Sequence, residues 1–478
     1  SLFGYDADME WDAGTPWYRP TRLVHITPGS EYGWRTGTSK WPDYYADSLP
    51  PVMEFGPGSP TGLLFGTKAK FPKRYQEALY LLDWTFGRIY VAHLSPDGSS
   101  YKGEKEVLLS GSPLPVTDAA IGPDGAMYFT VGGRRLNSRL YRISYTGKVG
   151  SENPEHPSPP LASVLNQLLN KPAPGFVWEH LDSPDRRVRY TARVALEVMG
   201  AEKWIQMFKQ EKNAVKIIEA SIALARLEKD SEQLLHQIGS VGFAKLNHTQ
   251  KLAYLRALGL CLIRNESSMN SNHIAPIRSL LEKHFPSTSY HLNVELASVL
   301  TKLGSKTSTR HILDLMETSV NEAQDIDPNL LRGNKTYGAS FEKMLANQPN
   351  AKALRFALIL MSAREGWDQA SVKRFYAWLN DAELREGGAS YKGFIANIRK
   401  GSLLKLPAGL REIANQLPKP TKEAKVMAVA KGPGRAWSVK EASEAIADLS
   451  TADYENGKKM WQKGTCKGVK AIGWFMKP

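Results

Sequence analysis

IGPDGAMYFTVGGRRLNSRLYRI, residues 121–143, is the stretch from which the fold can be read. Two β-rich runs, 127–130 and 140–143, stand out in it. The first follows Pro123-Asp124-Gly125, a turn signal, because proline presets φ and glycine accepts positive φ. Strand, tight turn, strand, longer loop, strand is the pattern of one β-propeller blade. The same pattern extends upstream. Residues 78–83 and 88–94 read as strands separated by 84–87, Pro96-Asp97-Gly98 is a further turn, and 105–109 and 118–121 read as strands. Strands at a spacing of roughly 8–12 residues with such turns argue for a sandwich or a propeller.

Residues 149–160 read as a linker rich in Ser, Asn, His and Pro. Beyond it the apolar period becomes helical. RRVRYTARVALEVM (186–199) is amphipathic, and Ser183-Pro184-Asp185 is a helix start. Further helices are expected at about 213–228, 249–263, 273–285, 290–303, 308–318, 351–364 and 367–381. Helices of this length, stacked through one apolar face each, imply a HEAT-like α-solenoid over 161–416. A second linker is expected at 417–435. Two short helical pieces follow, and the tail is rich in lysine.

At 42% hydrophobic and 23% charged residues, the 478-residue chain has an ordinary globular composition and length for two or three domains. No run of 18 apolar residues is present, so no transmembrane segment is expected. The net charge of +14 is spread over the middle and tail without a nucleic-acid-binding signature, so no nucleic acid is expected as a partner. Cys261 sits in an apolar helical run and reads as core, and two cysteines so far apart give no disulfide framework.

Several groups bear on chemistry. Asp6, Asp8, Glu10 and Asp12 alternate, so a strand would put them on one face, and a loop could present Asp6 and Asp8 to Ca2+. Trp11 stands where an EF-hand loop needs glycine, and the alternative is pairing with Arg19 and Arg22. Trp17, Arg19, Arg22 and Trp84 suit a sugar or polyol cleft, where aromatic faces stack on C–H surfaces, or else packing between blades. Asp83, Trp84, Asp118, Arg134 and Arg135 are candidates facing a propeller channel, with Asp83 and Asp118 at strand ends where loops build sites or, alternatively, capping turns. His25 and His93 read as structural. Residues 454–466, YENGKKMWQKGTC, have the form of a helix entering a haem-attachment motif, but Val469 and Lys470 stand where the second Cys and the His are needed. Cys466 is then a lone remnant, and haem attachment in this chain is not expected.

YDADMEWDAGTPWYRPTR, GWRTGTSKWPDYY, FPKRYQEALYLLDWTFGRIYVAHL and LPVTDAAIGPDGAMYFTVGG resemble the glucose/sorbosone dehydrogenase propellers. With SPDRRVRYTARVALE, RGNKTYG, EGW, GGASYKGFIANIR and GPGRAWSVKE they are most similar to planctomycete-type multidomain membrane-bound dehydrogenases. The resemblance implies a multidomain β + α chain. Its parts would be a partial six-bladed β-propeller (1–148), the HEAT-like region, and a truncated cytochrome c-like segment (436–478). The chain would then be an internal piece, or one frameshifted after Cys466. Also implied are a carbohydrate or polyol substrate, an electron-acceptor protein, haem c in the intact protein, and a periplasmic or extracytoplasmic, membrane-associated setting. The alternative is a non-catalytic scaffold binding protein or polysaccharide. The Lys and two Arg that hold the quinone (PQQ) in quinoprotein relatives would fall at Thr85, Pro115 and Thr117, none of them basic, so the quinone is not expected.

Overall fold

The structure is a computed structural model that describes residues 1–35, 40–133, 136–150, 153–170, 172–229, 231–264, 271–321, 326, 328–332, 334–418, 438–445, 453 and 455. Residues Ser1–Pro418 form one compact unit and Lys419–Pro478 a second. Of the second, the helix Val439–Ala445 is described, with Ser438 and Glu441 bonding each other's backbone N–H. Cys466 lies outside the described residues.

Three antiparallel sheets open the first unit, so the chain is of mixed β and α class. β1 (Leu2–Asp6), β2 (Thr21–Ile26) and β3 (Met53–Gly56) form the first, in that order. β4 (Pro60–Phe65), β5 (Leu79–Asp83), β6 (Arg88–Asp97) and β7 (Ser100–Ser110) form the second. β8 (Val116–Ile121), β9 (Met127–Gly133) and β10 (Leu136–Ile143) form the third. Each is a meander of chain neighbours, and the first strands pack together, β4 contacting both β1 and β8.

The stretch 121–143 spans the end of β8, the turn, β9 and β10. Gly125 sits at φ 81°, a conformation that favours glycine. Asp124 closes the turn by accepting from the Ala126 N–H (3.1 Å) and the Tyr128 hydroxyl (2.9 Å). Strand alternation then buries Met127, Phe129 and Val131 against Tyr80, Leu82, Ile89 and Val91 of the second sheet.

The helical period beyond residue 160 produces Arg186–Met199, Ala214–Leu227, His248–Arg264, Tyr290–Lys302 and Ala351–Leu360, each packed on the next. Ser308–Thr318 and Gln369–Leu384 also lie where expected. Ser231–Ser240, Lys335–Ala346, Tyr391–Lys405 and Ala408–Gln416 are helices that the periodicity did not announce. Their shared core includes Leu196, Ile222, Leu255, Cys261, Leu296 and Phe356. Asp185 starts the first of these helices by accepting from the Arg187 and Val188 N–H groups (both 2.9 Å). The same carboxylate accepts from the N–H and hydroxyl of Ser99 (2.9 and 2.7 Å), which fastens the β6–β7 turn to the helix.

The connection between β2 and β3 joins sheets to helices. The buried Asp47 carboxylate receives both arms of Arg256 (2.8 Å each), and Arg226 stands 3.4 Å away. The Arg256 guanidinium lies 4.3 Å from the Trp41 ring centre and 4.1 Å from that of Tyr45. Arg186 donates to the carbonyls of Asp43, Tyr45 and Ser48. Tyr190 donates to Gly29 O (2.8 Å), and Tyr44 to the buried Glu295 (2.8 Å). Burial pushes the Asp47 carboxyl up, but the hydrogen bonds and charge of Arg256, with Arg193 and Arg226, outweigh it and leave the group below its ordinary value.

Residues 11–13 make a second junction. The Gly388 N–H donates to Ala13 O (2.8 Å), and the Ser390 N–H to Trp11 O (3.0 Å). A Cβ at Gly388 would stand 2.2 Å from Trp11 O, so the chains meet this closely only through glycine. Tyr18 and Phe86 pack with Leu330, Leu331 and Phe341, and Asn334 donates to Thr85 O (2.8 Å).

Asp47→Ala would strand the buried Arg256 guanidinium, and a loss of ~3–5 kcal/mol is expected. Urea unfolding followed by near- and far-ultraviolet circular dichroism checks this. Sheet and helix signals should move together to lower denaturant, and a variant whose helices melt separately from its sheets would contradict the coupling.

Candidate functional site

A polar patch gathers where β1 ends. Asp6 faces Arg22 across the β1–β2 register. The buried Arg22 donates to Asp6 Oδ2 through Nε (3.0 Å) and Nη2 (2.5 Å), and to Tyr32 O (3.0 Å); its Nη1 stands 3.8 Å from Asp43. Lys40 Nζ lies 3.2 Å from Asp6 Oδ2 and also donates to Ala7 O, while the Trp34 indole N–H donates to Asp6 Oδ1. Asp8 is buried and accepts from the Tyr18 hydroxyl (2.9 Å). Asp83, buried at the end of β5, accepts from the N–H groups of Ser59 (2.8 Å), Thr85 (3.1 Å) and Phe86 (3.3 Å).

Burial moves three of these groups towards neutrality. Desolvation raises Asp8 to about 7 against the hydrogen bond from Tyr18. It raises Asp83 to about 6 against its backbone donors, and lowers Lys40 to about 8 with help from Arg22. The Tyr5 phenol is pushed well up, first by burial and then by Asp83. Burial thus brings Asp8, Asp83 and Lys40, but not Tyr5, towards the range in which acid–base groups work. Among the described residues, no group of three or more His, Cys, Asp or Glu side chains is placed to hold a metal ion. The Asp6 carboxylate is instead enclosed by Arg22, Lys40 and Trp34.

The residues singled out from sequence take varied places. Trp17 is buried in the helical core with its ring centre 4.3 Å from that of Phe394. Arg19 donates to Tyr18 O (2.7 Å) and Pro16 O (3.2 Å). The Trp84 indole donates to Gly132 O (2.8 Å) and ties the second sheet to the third. Asp118 is exposed and accepts from the Ala119 N–H (2.8 Å). The Thr85 hydroxyl donates to Ser59 Oγ (2.9 Å), Thr117 bonds Thr130 (2.8 Å), and Pro115 O accepts from the Gly132 N–H (3.0 Å). His25 Nδ1 lies 3.0 Å from Ser100 Oγ, and burial with Arg187 lowers its pKa to about 4. His93 stands 3.3 Å from Glu106. Arg134 and Arg135 lie outside the described residues. The patch thus unites Asp6, Asp8 and Arg22 with Lys40 and Trp34, which sequence reasoning missed. The sequence around residues 34 and 40 has no local pattern that announces a contact with β1.

No protein-family model matches the chain. No curated protein matches it either. Among solved structures, the chain is similar in part to an oxidoreductase (glucose dehydrogenase) from Thermus thermophilus, at 22% identity over 30% of this chain and 40% of that chain, with a TM-score of 0.22. The chain therefore spans well under half of that protein's length.

The raised pKa of Asp8 fixes the sign of a pH effect. The folded state holds the proton more tightly than the unfolded one, so stability falls as pH rises from the ordinary value of 3.8 to about 7. The loss from this group amounts to up to ~4 kcal/mol. Asp8→Asn removes the titration, so its stability relative to the wild type should grow from pH 4 to pH 8. Urea midpoints of both proteins across that range test this, and parallel curves would refute it.

Proposed function

We propose that this chain is part of a redox protein of the glucose/sorbosone dehydrogenase type, a dehydrogenase acting on a carbohydrate or polyol. The carrying observation is the stacking of three consecutive meanders through their first strands, β1, β4 and β8. This is how neighbouring blades of a propeller meet, and it supports reading the sheets as part of a six-bladed propeller. In that reading the helices of residues 161–416 are a HEAT-like region that buttresses the blades. Burial shifts Asp8 and Lys40 of the patch, and Asp83 at the end of β5, towards neutral pH, which suits proton transfer.

The groups that relatives would carry are a separate matter. A quinone needs cationic partners for its carboxylates, and Thr85, Pro115 and Thr117 offer none. Haem c needs two thiols and an imidazole, and Cys466, Val469 and Lys470 offer one thiol. The residues present fit neither group. In the intact protein a cytochrome segment would pass electrons to an acceptor protein, in a periplasmic or extracytoplasmic setting, as the resemblance implies. Among the described residues no helix is long and apolar enough to cross a membrane. Calcium at Asp6 and Asp8 would compete with Arg22 and Lys40 for Asp6.

A second reading, a non-catalytic scaffold for protein or polysaccharide, is favoured by one observation. Asp83, Trp84, Thr85 and Thr117 bond to neighbouring backbone and hydroxyl groups.

The full-length gene product, assayed by dye-linked oxidation over a panel of sugars and polyols with and without added quinone, decides between them. Turnover is expected. Saturable polysaccharide binding with no turnover on any substrate would replace the first reading by the second.

A further inference from the structure

A cavity of about 60 Å³ lies where the β1–β2 and β2–β3 connections meet the helices Tyr290–Lys302 and Ala351–Leu360. Arg19 lines it from the first connection, Lys40 from the second and Arg355 from the last helix. Among the described residues, no carboxylate lines it. Lys40 is paired with Asp6 (3.2 Å), so the charge left unmatched belongs to the two guanidinium groups. Arg19 bonds only the carbonyl oxygens of Pro16 and Tyr18, and the acids that bear on it, Asp43 and Glu54, make no ion pair with it. Arg355 makes no hydrogen bond and no ion pair among the described residues. The acid that bears on it, Glu295, is buried and already accepts from the Tyr44 hydroxyl (2.8 Å).

A guanidinium keeps its charge when it is drawn out of water, and that charge is costly without a counter-charge. Its planar fork of N–H groups matches the paired oxygens of an oxyanion. The first turn of Tyr290–Lys302 forms another wall of the cavity, through Tyr290 and His291, and the start of a helix favours negative charge. The volume limits the size of the occupant. One water needs roughly 10–15 Å³, so the cavity takes a group of a few heavy atoms and is too small for a sugar ring. We propose that it binds a small inorganic oxyanion, of phosphate or sulfate size, between Arg19 and Arg355. Held there, the ion cross-links the connections of the first sheet to two helices, and the stability of the first unit becomes linked to its concentration.

Calorimetric titration of the whole chain with sodium phosphate and with sodium sulfate, at constant ionic strength set by sodium chloride, should give saturable binding of at least one. Arg355→Gln should weaken it by at least about tenfold. Because Arg355 also faces the buried Glu295, that variant can lose stability for a separate reason, and a second variant settles the matter. His291 is exposed and stands in the first turn, where a glutamate suits the helix. His291→Glu should fold with an unchanged melting midpoint in chloride and bind the oxyanion at least about tenfold more weakly, while His291→Gln stays within about twofold. The wild-type melting midpoint should rise with phosphate or sulfate more than that of His291→Glu, because general salt effects act on both alike. No saturable binding of either oxyanion, or binding by His291→Glu equal to that of the wild type, overturns the inference.

Discussion

The pairing of Asp47 with Arg256 is the contact on which the rest of the first unit depends. A buried carboxylate is costly unless a fixed, fork-shaped cation meets it, and Arg256 does so with both arms. The cation is held in turn between Trp41 and Tyr45, two aromatic residues of the same connection. Around this pair, successive helices each contribute a polar side chain. Arg186 and Tyr190 come from the first, Arg226 from the second, Arg256 from the third and Glu295 from the fourth. The helices therefore hold a segment of their own chain as a repeat array would hold an extended peptide. Several of the chain's arginines are thus engaged internally, although pairs with acids leave the net charge of +14 unchanged.

Local structure was largely readable from sequence. The turn at 123–125 and the strands either side of it follow from proline, glycine and β-branched or aromatic runs. The helix 186–199 follows from its period and its cap, down to the terminal residues. What was not readable is whatever depends on partners far along the chain. Arg256 and Asp47 are more than two hundred residues apart, and no window of sequence joins them. The ambiguity is plainest for Trp17 and Arg22. Aromatic residues beside arginines and acids make up sugar clefts and buried junctions alike, so composition could not separate the two. The structure puts Trp17 in the helical core and Arg22 beneath Asp6.

The distinctive wording of the helical half has a physical origin in the same junctions. In RGNKTYG, Asn334 reaches Thr85 O and Tyr337 packs edge-on to Phe86. In EGW, Gly366 lies at φ 75°, where a Cβ would stand 2.3 Å from Lys306 O. In GGAS, Gly388 and Ser390 receive residues 11–13. RGNKTYG and GGAS meet residues 85–86 and 11–13 of the sheet half, so their wording reports how the two halves fit together, whereas Gly366 of EGW serves a close approach within the helical half.

The junctions also bear on what the covalent link between the halves contributes. Residues 153–158 are largely exposed and carry no helix or strand. The sheets and helices are joined instead by the Asp47–Arg256 pair, by Asp185 to Ser99, and by the backbone contacts of Gly388 and Ser390. The peptide bonds of that linker mainly supply proximity, a loop-closure entropy that grows only slowly with length. Severed there, the two pieces would remain complementary surfaces. The molecule is thus suited to be split into separately expressed fragments that reassemble without a tether.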